Sequence, residues 1–138
     1  MIQIENLFKQ FRGEGETITV LENLSLHIES GTIVSVEGAS GEGKSTLLNI
    51  IGTMDVATSG TIRVGEHEIT RMNEREKENF RAAELGFIFQ HHYLLPDFTV
   101  LENVMMPLLI QRAPVRSSRD VAARMLDMVG LSHRLEHF

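Results

Sequence analysis

The chain has 138 residues and a mass of 15.5 kDa, a length at which one domain around one substantial core is expected. Its 42% apolar and 23% charged residues exclude a disordered chain, and the absence of cysteine excludes disulfides, thiolate nucleophiles and Cys-ligated metals. A formal charge of −6 without any basic run speaks against nucleic acid as a partner, and the longest apolar run, Val104–Ile110, falls far short of a membrane span.

Taken in chain order, Ile2, Ile4 and Leu7 start a strand pattern that Phe8 to Phe11 continue, so the chain opens like a strand rather than a leader. Arg12 to Glu16 reads as a turn, and Leu24 to Ile28 alternates as a second strand. Thr32-Ile33-Val34-Ser35-Val36, β-branched and bounded by glycines, has the composition of a buried strand. Lys44 to Ile51 reads as a helix and Thr61 to Val64 as a short strand after the Thr58-Ser59-Gly60 turn. Asn73 and Glu76 form a capping box for a charged, solvated helix to about Glu84, and Gly86 to Phe89 reads as a compact strand ending at Gln90. Thr99 and Glu102 form a second capping box, for a helix kinked or stopped near Pro107. Ser117 or Ser118 caps a last helix with an apolar stripe of Val121, Ala122, Met125, Leu126 and Val129, ended by Gly130.

One motif carries chemistry. Gly38-Ala39-Ser40-Gly41-Glu42-Gly43-Lys44-Ser45 fits the phosphate-binding loop G-x-x-x-x-G-K-[ST]. Its glycines let backbone N–H groups approach phosphate oxygens, and the helix that follows points its positive end at the same anion. Lys44 brings a mobile full charge to the β and γ phosphates, and the Ser45 hydroxyl is a hard, compact ligand for Mg²⁺. A chance match in a chain this long has odds of roughly one in 200, and the strand-like run before the loop and the helical run after it are the context the motif requires.

Two more residues join the loop as candidates. Gln90, at the end of an expected strand, could reach both the metal and an attacking water. Phe11, in the first strand, could stack an adenine ring, although a core phenylalanine is the commoner fate. With these in place the chain resembles, from end to end, the ATP-binding subunit of ABC transporters. Gly38 to Thr46, with Gly38, Ser40, Gly41, Gly43, Lys44, Ser45 and Thr46 as nucleotide ligands, matches the family's Walker A loop. Gln90 matches the Q-loop glutamine, and Phe11 falls at the adenine-stacking aromatic. The stretch Leu85 to Val104, with Val129 to Arg134, looks like the lipoprotein-releasing subgroup, close to the macrolide-export and cell-division ATPases.

The resemblance implies an α/β P-loop fold of ABC type. Residues 1–90 would supply an N-terminal antiparallel β part and the nucleotide-binding core, and residues 91–138 the start of a helical subdomain. It also implies ATP and Mg²⁺ as ligands, the latter held by Ser45 and Gln90, with Lys44 and Gln90 as the catalytic pair. Its implied partners are integral membrane subunits contacted near residues 91–110 and a second ATPase subunit, at the cytoplasmic face of the inner membrane. The family's signature loop, acidic Walker B strand and switch histidine come after the point reached at Phe138, so these residues alone are expected to bind nucleotide with little turnover. The alternatives are a macrolide-export or cell-division type ABC ATPase, or a non-hydrolysing nucleotide-binding regulator. Glu42 departs from the family, which usually carries a small or neutral residue there, and a carboxylate beside a triphosphate repels it unless it points to solvent.

Overall fold

The computed structural model describes residues 1–13 and 15–138; Glu14, within the expected Arg12–Glu16 turn, lies outside the described residues. The chain divides into two compact units, Met1–Leu85 and Gly86–Phe138. The division falls ahead of Gln90, so the segment leading to that residue belongs to the second unit.

The first unit is built on a four-stranded antiparallel sheet of order β2-β1-β3-β4, comprising β1 (Ile2–Arg12), β2 (Thr17–Ile28), β3 (Ser59–Val64) and β4 (His67–Glu68). The long β1–β2 hairpin merges the expected Ile2–Phe11 and Leu24–Ile28 strands with a longer partner than alternation alone marked. Its register slips where Asn6 and Asn23 both take φ 50°, a left-handed conformation that asparagine tolerates better than most residues. A third slip, between Lys9 and Gln10, leaves Val20 of β2 without a register partner. Ile4, Leu7, Leu21 and Ile62 point into the core, where Leu47 and Ile50 of helix α1 (Lys44–Ile51) and Phe80 of helix α2 (Glu74–Glu84) meet them.

Helix α2 starts where the sequence placed it, with the Asn73 side chain accepting from Glu76 N–H at 3.0 Å and the Glu76 carboxylate accepting from Asn73 N–H at 2.8 Å. Its face is less solvated than its charge suggested. Lys77 is buried with Phe80, and its ammonium donates to Glu74 Oε1 at 2.7 Å, so the aliphatic stem covers the core while the charge stays paired.

Two expected strands do not form. Thr32–Val36 is irregular and Ile33 is fully exposed; Gly86–Phe89 is likewise irregular with Ile88 fully exposed. A buried strand exists only between neighbours that satisfy its N–H and C=O groups, and among the described residues no strand pairs with either run.

The second unit is a helical hairpin of α3 (Val100–Ile110) and α4 (Val115–Met128) around Leu101, Met105, Ala122 and Leu126. The Thr99–Glu102 capping box is present, and the first amides of α3 also donate to the carbonyls of His137 and Leu135 at 2.8 and 3.1 Å. Pro107 does not stop α3, because Leu109 beyond it packs against the same core and holds the last turn despite the lost backbone bond. Helix α4 begins earlier than expected. Pro114 is its N-cap, and the Ser117 and Ser118 hydroxyls donate back to the Pro114 carbonyl instead of capping. The buried stripe is Ser118, Ala122 and Leu126, while Met125 and Val129 face solvent.

Candidate functional site

The Gly38–Ser45 loop runs into the N-terminus of α1, whose N-cap, Gly43, has φ 83° and offers no side-chain acceptor. The first backbone N–H with a partner inside the helix is that of Leu47, which donates to Gly43 O at 2.9 Å. The amides of Lys44, Ser45 and Thr46 therefore have no acceptor within the helix, and no acidic residue occupies its first turn. This is the electrostatic profile of an anion site. Leu47 and Ile50, buried against the sheet, hold α1 and hence the orientation of these amides.

Ser40, Gly41, Gly43, Lys44, Ser45 and Thr46 line one cavity of about 380 Å³ with Val20 of β2, within the usual range of small-ligand sites. The close approach of Val20 fixes the identity of residue 43. A Cβ on Gly43 would lie 2.8 Å from Val20 Cγ1 and 2.9 Å from its carbonyl oxygen. Gly38 enters through its carbonyl, which accepts from Lys44 Nζ at 2.8 Å; Lys44 also donates to Ala39 O at 2.5 Å.

Phe11 lies at the far end of β1, paired with Ile18, two residues along β2 from Val20, and it is exposed. The ammonium of Lys9 sits 4.5 Å from its ring centroid. Lys9 is itself buried and donates to Asp55 Oδ1 at 2.6 Å and to the Val56 carbonyl at 2.7 Å. Burial pushes the Asp55 carboxyl up, but the hydrogen bonds from Lys9 and from the Val56 amide, with the lysine's charge, bring it below the ordinary carboxylate value. Sequence reading missed this pair, although a lysine two positions after buried Leu7 was a signal that it shares the inward face. Nothing in the sequence marked Val20, whose contact with the loop depends on a register slip.

Gln90 lies in the second unit, exposed, in a segment without helix or strand. Aromatic residues surround it in sequence: Phe87 stacks on Phe89 at 5.6 Å, and Phe89 meets Tyr93 edge-on at 5.3 Å.

These features define a phosphate-loop protein, and residues 21–138 match the family model described as ABC transporter, so the chain belongs to that family. It is similar to the lipoprotein-releasing system ATP-binding protein LolD of Myxococcus xanthus, with 42% identity over 99% of this chain and 61% of that protein. Its identity to the LolD of Geobacter metallireducens is 44%, over 99% and 61% of the two chains, and to that of Desulfotalea psychrophila 47%, over 96% and 59%. The chain thus spans about three-fifths of the length of the curated relatives it matches. Among solved structures it superposes on the dimeric post-hydrolysis state of the ATP-binding cassette MJ0796 bound to ADP and Pi. That match has a TM-score of 0.86 and 35% identity, covering 99% of this chain and 60% of that one. The sheet and helices described above are accordingly part of the α/β ABC fold.

Proposed function

We propose that the Gly38–Ser45 loop holds the polyphosphate of ATP, and that the chain is the nucleotide-binding part of a transporter ATPase that drives release of lipoproteins from the inner membrane. The cradle carries this reading: a cavity bounded by Ser40, Gly41 and Gly43, at a helix N-terminus whose leading amides lack acceptors, with one lysine inside it. The names of the relatives support the substrate class, and the ADP and Pi of the solved cassette support the nucleotide. Lys44 is assigned to the β and γ phosphates, which it reaches by exchanging the Gly38 and Ala39 carbonyls for phosphate oxygens. The amides of Gly41 and Gly43 to Thr46 and the Ser40 side chain take the remaining oxygens, and Phe11 stacks the base. Ser45, a hard oxygen donor on the cavity wall, would hold Mg²⁺, which would supply neutralisation of the phosphate charge, and the family resemblance assigns Gln90 as a further ligand. Gln90 also orients the attacking water.

Residues 91–110, with exposed Tyr93, Leu94 and Ile110, are assigned to contact with integral membrane subunits at the cytoplasmic face; no helix among the described residues is long and apolar enough to cross a membrane. A second ATPase subunit completes the catalytic assembly. The 138 residues by themselves are assigned nucleotide binding with little or no turnover, since the family's signature loop, Walker B strand and switch histidine are not among them.

Thermal melting with Mg-ATP tests the site. Ligand at 100 times its Kd adds about 2.7 kcal/mol, several degrees of Tm for a chain of this size. Wild type is expected to show that shift and Lys44→Ala to lose it. No shift up to millimolar Mg-ATP rejects the reading, and ATP hydrolysis that Lys44→Ala abolishes rejects the expected lack of turnover.

A further inference from the structure

Both charged side chains of the loop close on one peptide unit. Glu42 Oε2 accepts from Ala39 N–H at 2.8 Å, while Lys44 Nζ donates to the carbonyls of Ala39 and Gly38. The Glu42 amide faces the same Ala39 carbonyl at 3.4 Å. The carboxylate lies so close over Gly38 that a Cβ there would strike it. The side chain is thus exposed but folded onto the loop rather than turned away from it, so its charge stays at the loop.

We propose that Glu42 is a resident anion of the phosphate loop, whose charge opposes an entering polyphosphate and sets the nucleotide concentration at which the site fills. This inference rests on the nucleotide-binding reading above. Two physical costs oppose an entering polyphosphate. Its charge must be accommodated beside the carboxylate, and the Lys44 ammonium must leave carbonyls that the Glu42–Ala39 contact holds in place. The first cost falls whenever residue 42 is neutral and depends on ionic strength; the second falls only when the acceptor for Ala39 N–H is removed as well.

The test is calorimetric titration of Mg-ATP, and separately of inorganic tripolyphosphate, into wild type, Glu42→Gln, Glu42→Ser and Lys44→Ala. Glutamine keeps an oxygen acceptor for Ala39 N–H and removes the charge; serine removes both. The expected result is a Kd lower by about tenfold in Glu42→Gln, the scale of removing one exposed charge that repels the polyphosphate. The gain should be at least as large for tripolyphosphate and should shrink at 0.5 M salt, where the Debye length is below about 8 Å. Glu42→Ser, melted without ligand beside wild type, guards against a folding artefact in the first variant. Unchanged or weaker binding in both Glu42 variants, with Lys44→Ala still abolishing binding, overturns the proposal and leaves the nucleotide site standing. Binding by none of the proteins overturns both. Binding by the Glu42 variants where wild type shows none supports it most directly.

Discussion

Gly41 and Gly43 share a backbone conformation but not an environment, and the pair separates conformational from steric demand at the loop. Gly41 has φ +87° with nothing within 4 Å of a Cβ; Gly43 has φ +83° with Val20 Cγ1 at 2.8 Å, Val20 O at 2.9 Å and Leu21 Cδ2 at 3.1 Å. Alanine in the left-handed region costs about 1–2 kcal/mol, of which about 0.4–1 kcal/mol returns through the stiffer unfolded chain. Gly41→Ala is therefore expected to cost on the order of 1 kcal/mol, and Gly43→Ala the same plus an overpacking cost of about 1–3 kcal/mol. Two of the three contacts cannot yield cheaply, since Val20 O is backbone and Val20 Cγ1 sits on a stiff β-branched side chain. At about 3–5 °C per kcal/mol for this size, Gly43→Ala should melt at least about 3 °C below Gly41→Ala in scanning calorimetry. Relief by moving α1 away from β2 would displace the amides of Lys44 to Thr46, so Gly43→Ala should also lose the Mg-ATP melting shift more completely. Equal melting temperatures for the two variants would refute the claim that β2 is what confines residue 43.

Asp55 gives a pH signature. Its carboxyl is lowered in the folded state by Lys9 and the Val56 amide, so the stability it contributes is complete above its ordinary value and is lost as pH falls through the lowered one. Wild type should lose melting temperature below about pH 4 more steeply than Asp55→Asn, and parallel curves would contradict the assignment. Asn103 gives a local one. Its side chain accepts from Leu95 N–H at 2.8 Å and donates to the carbonyls of Leu95, Phe98 and Thr99 at 3.0–3.1 Å. Asn103→Ala should raise hydrogen exchange at the Leu95 amide by about tenfold or more while α4 amides stay protected; unchanged exchange would contradict that role.

What the sequence disclosed and what it hid divide by the range of the interaction. The two capping boxes, Asn73 with Glu76 and Thr99 with Glu102, are complete within four residues, and both helices start where those pairs placed them. The phosphate loop is equally local. By contrast, Thr32–Val36 and Gly86–Phe89 had strand composition but depend on partners elsewhere, and neither pairs. Ser117 and Ser118 have the composition of a cap, but Pro114 holds the N-cap position and both hydroxyls donate back to its carbonyl. The period of two after Leu7 marks the inward face of Lys9, but its partner Asp55 lies 46 positions away, and Val20 meets Gly43 where the register slips; no periodicity reports either partner.

The unpaired Thr32–Val36 run bears on how the loop keeps its shape. Its downstream arm is anchored, because Leu47 and Ile50 bury α1 against the sheet and Val20 fills the space beside Gly43. Its upstream arm is not, since residues 31–42 are exposed and Thr32–Val36 joins no sheet. Closure at that end comes from within, through Lys44 on the Gly38 and Ala39 carbonyls and Glu42 on the Ala39 amide. The two charges that govern access of a phosphate are thus also the ties that keep the loop folded over its cavity. A charge-neutral acceptor at residue 42 leaves one tie in place while removing the competing anion, whereas removing Lys44 sacrifices a tie and the phosphate's counter-charge together. Glutamine at position 42 and alanine at position 44 should therefore move nucleotide affinity in opposite directions, although each deletes one charge from the same loop.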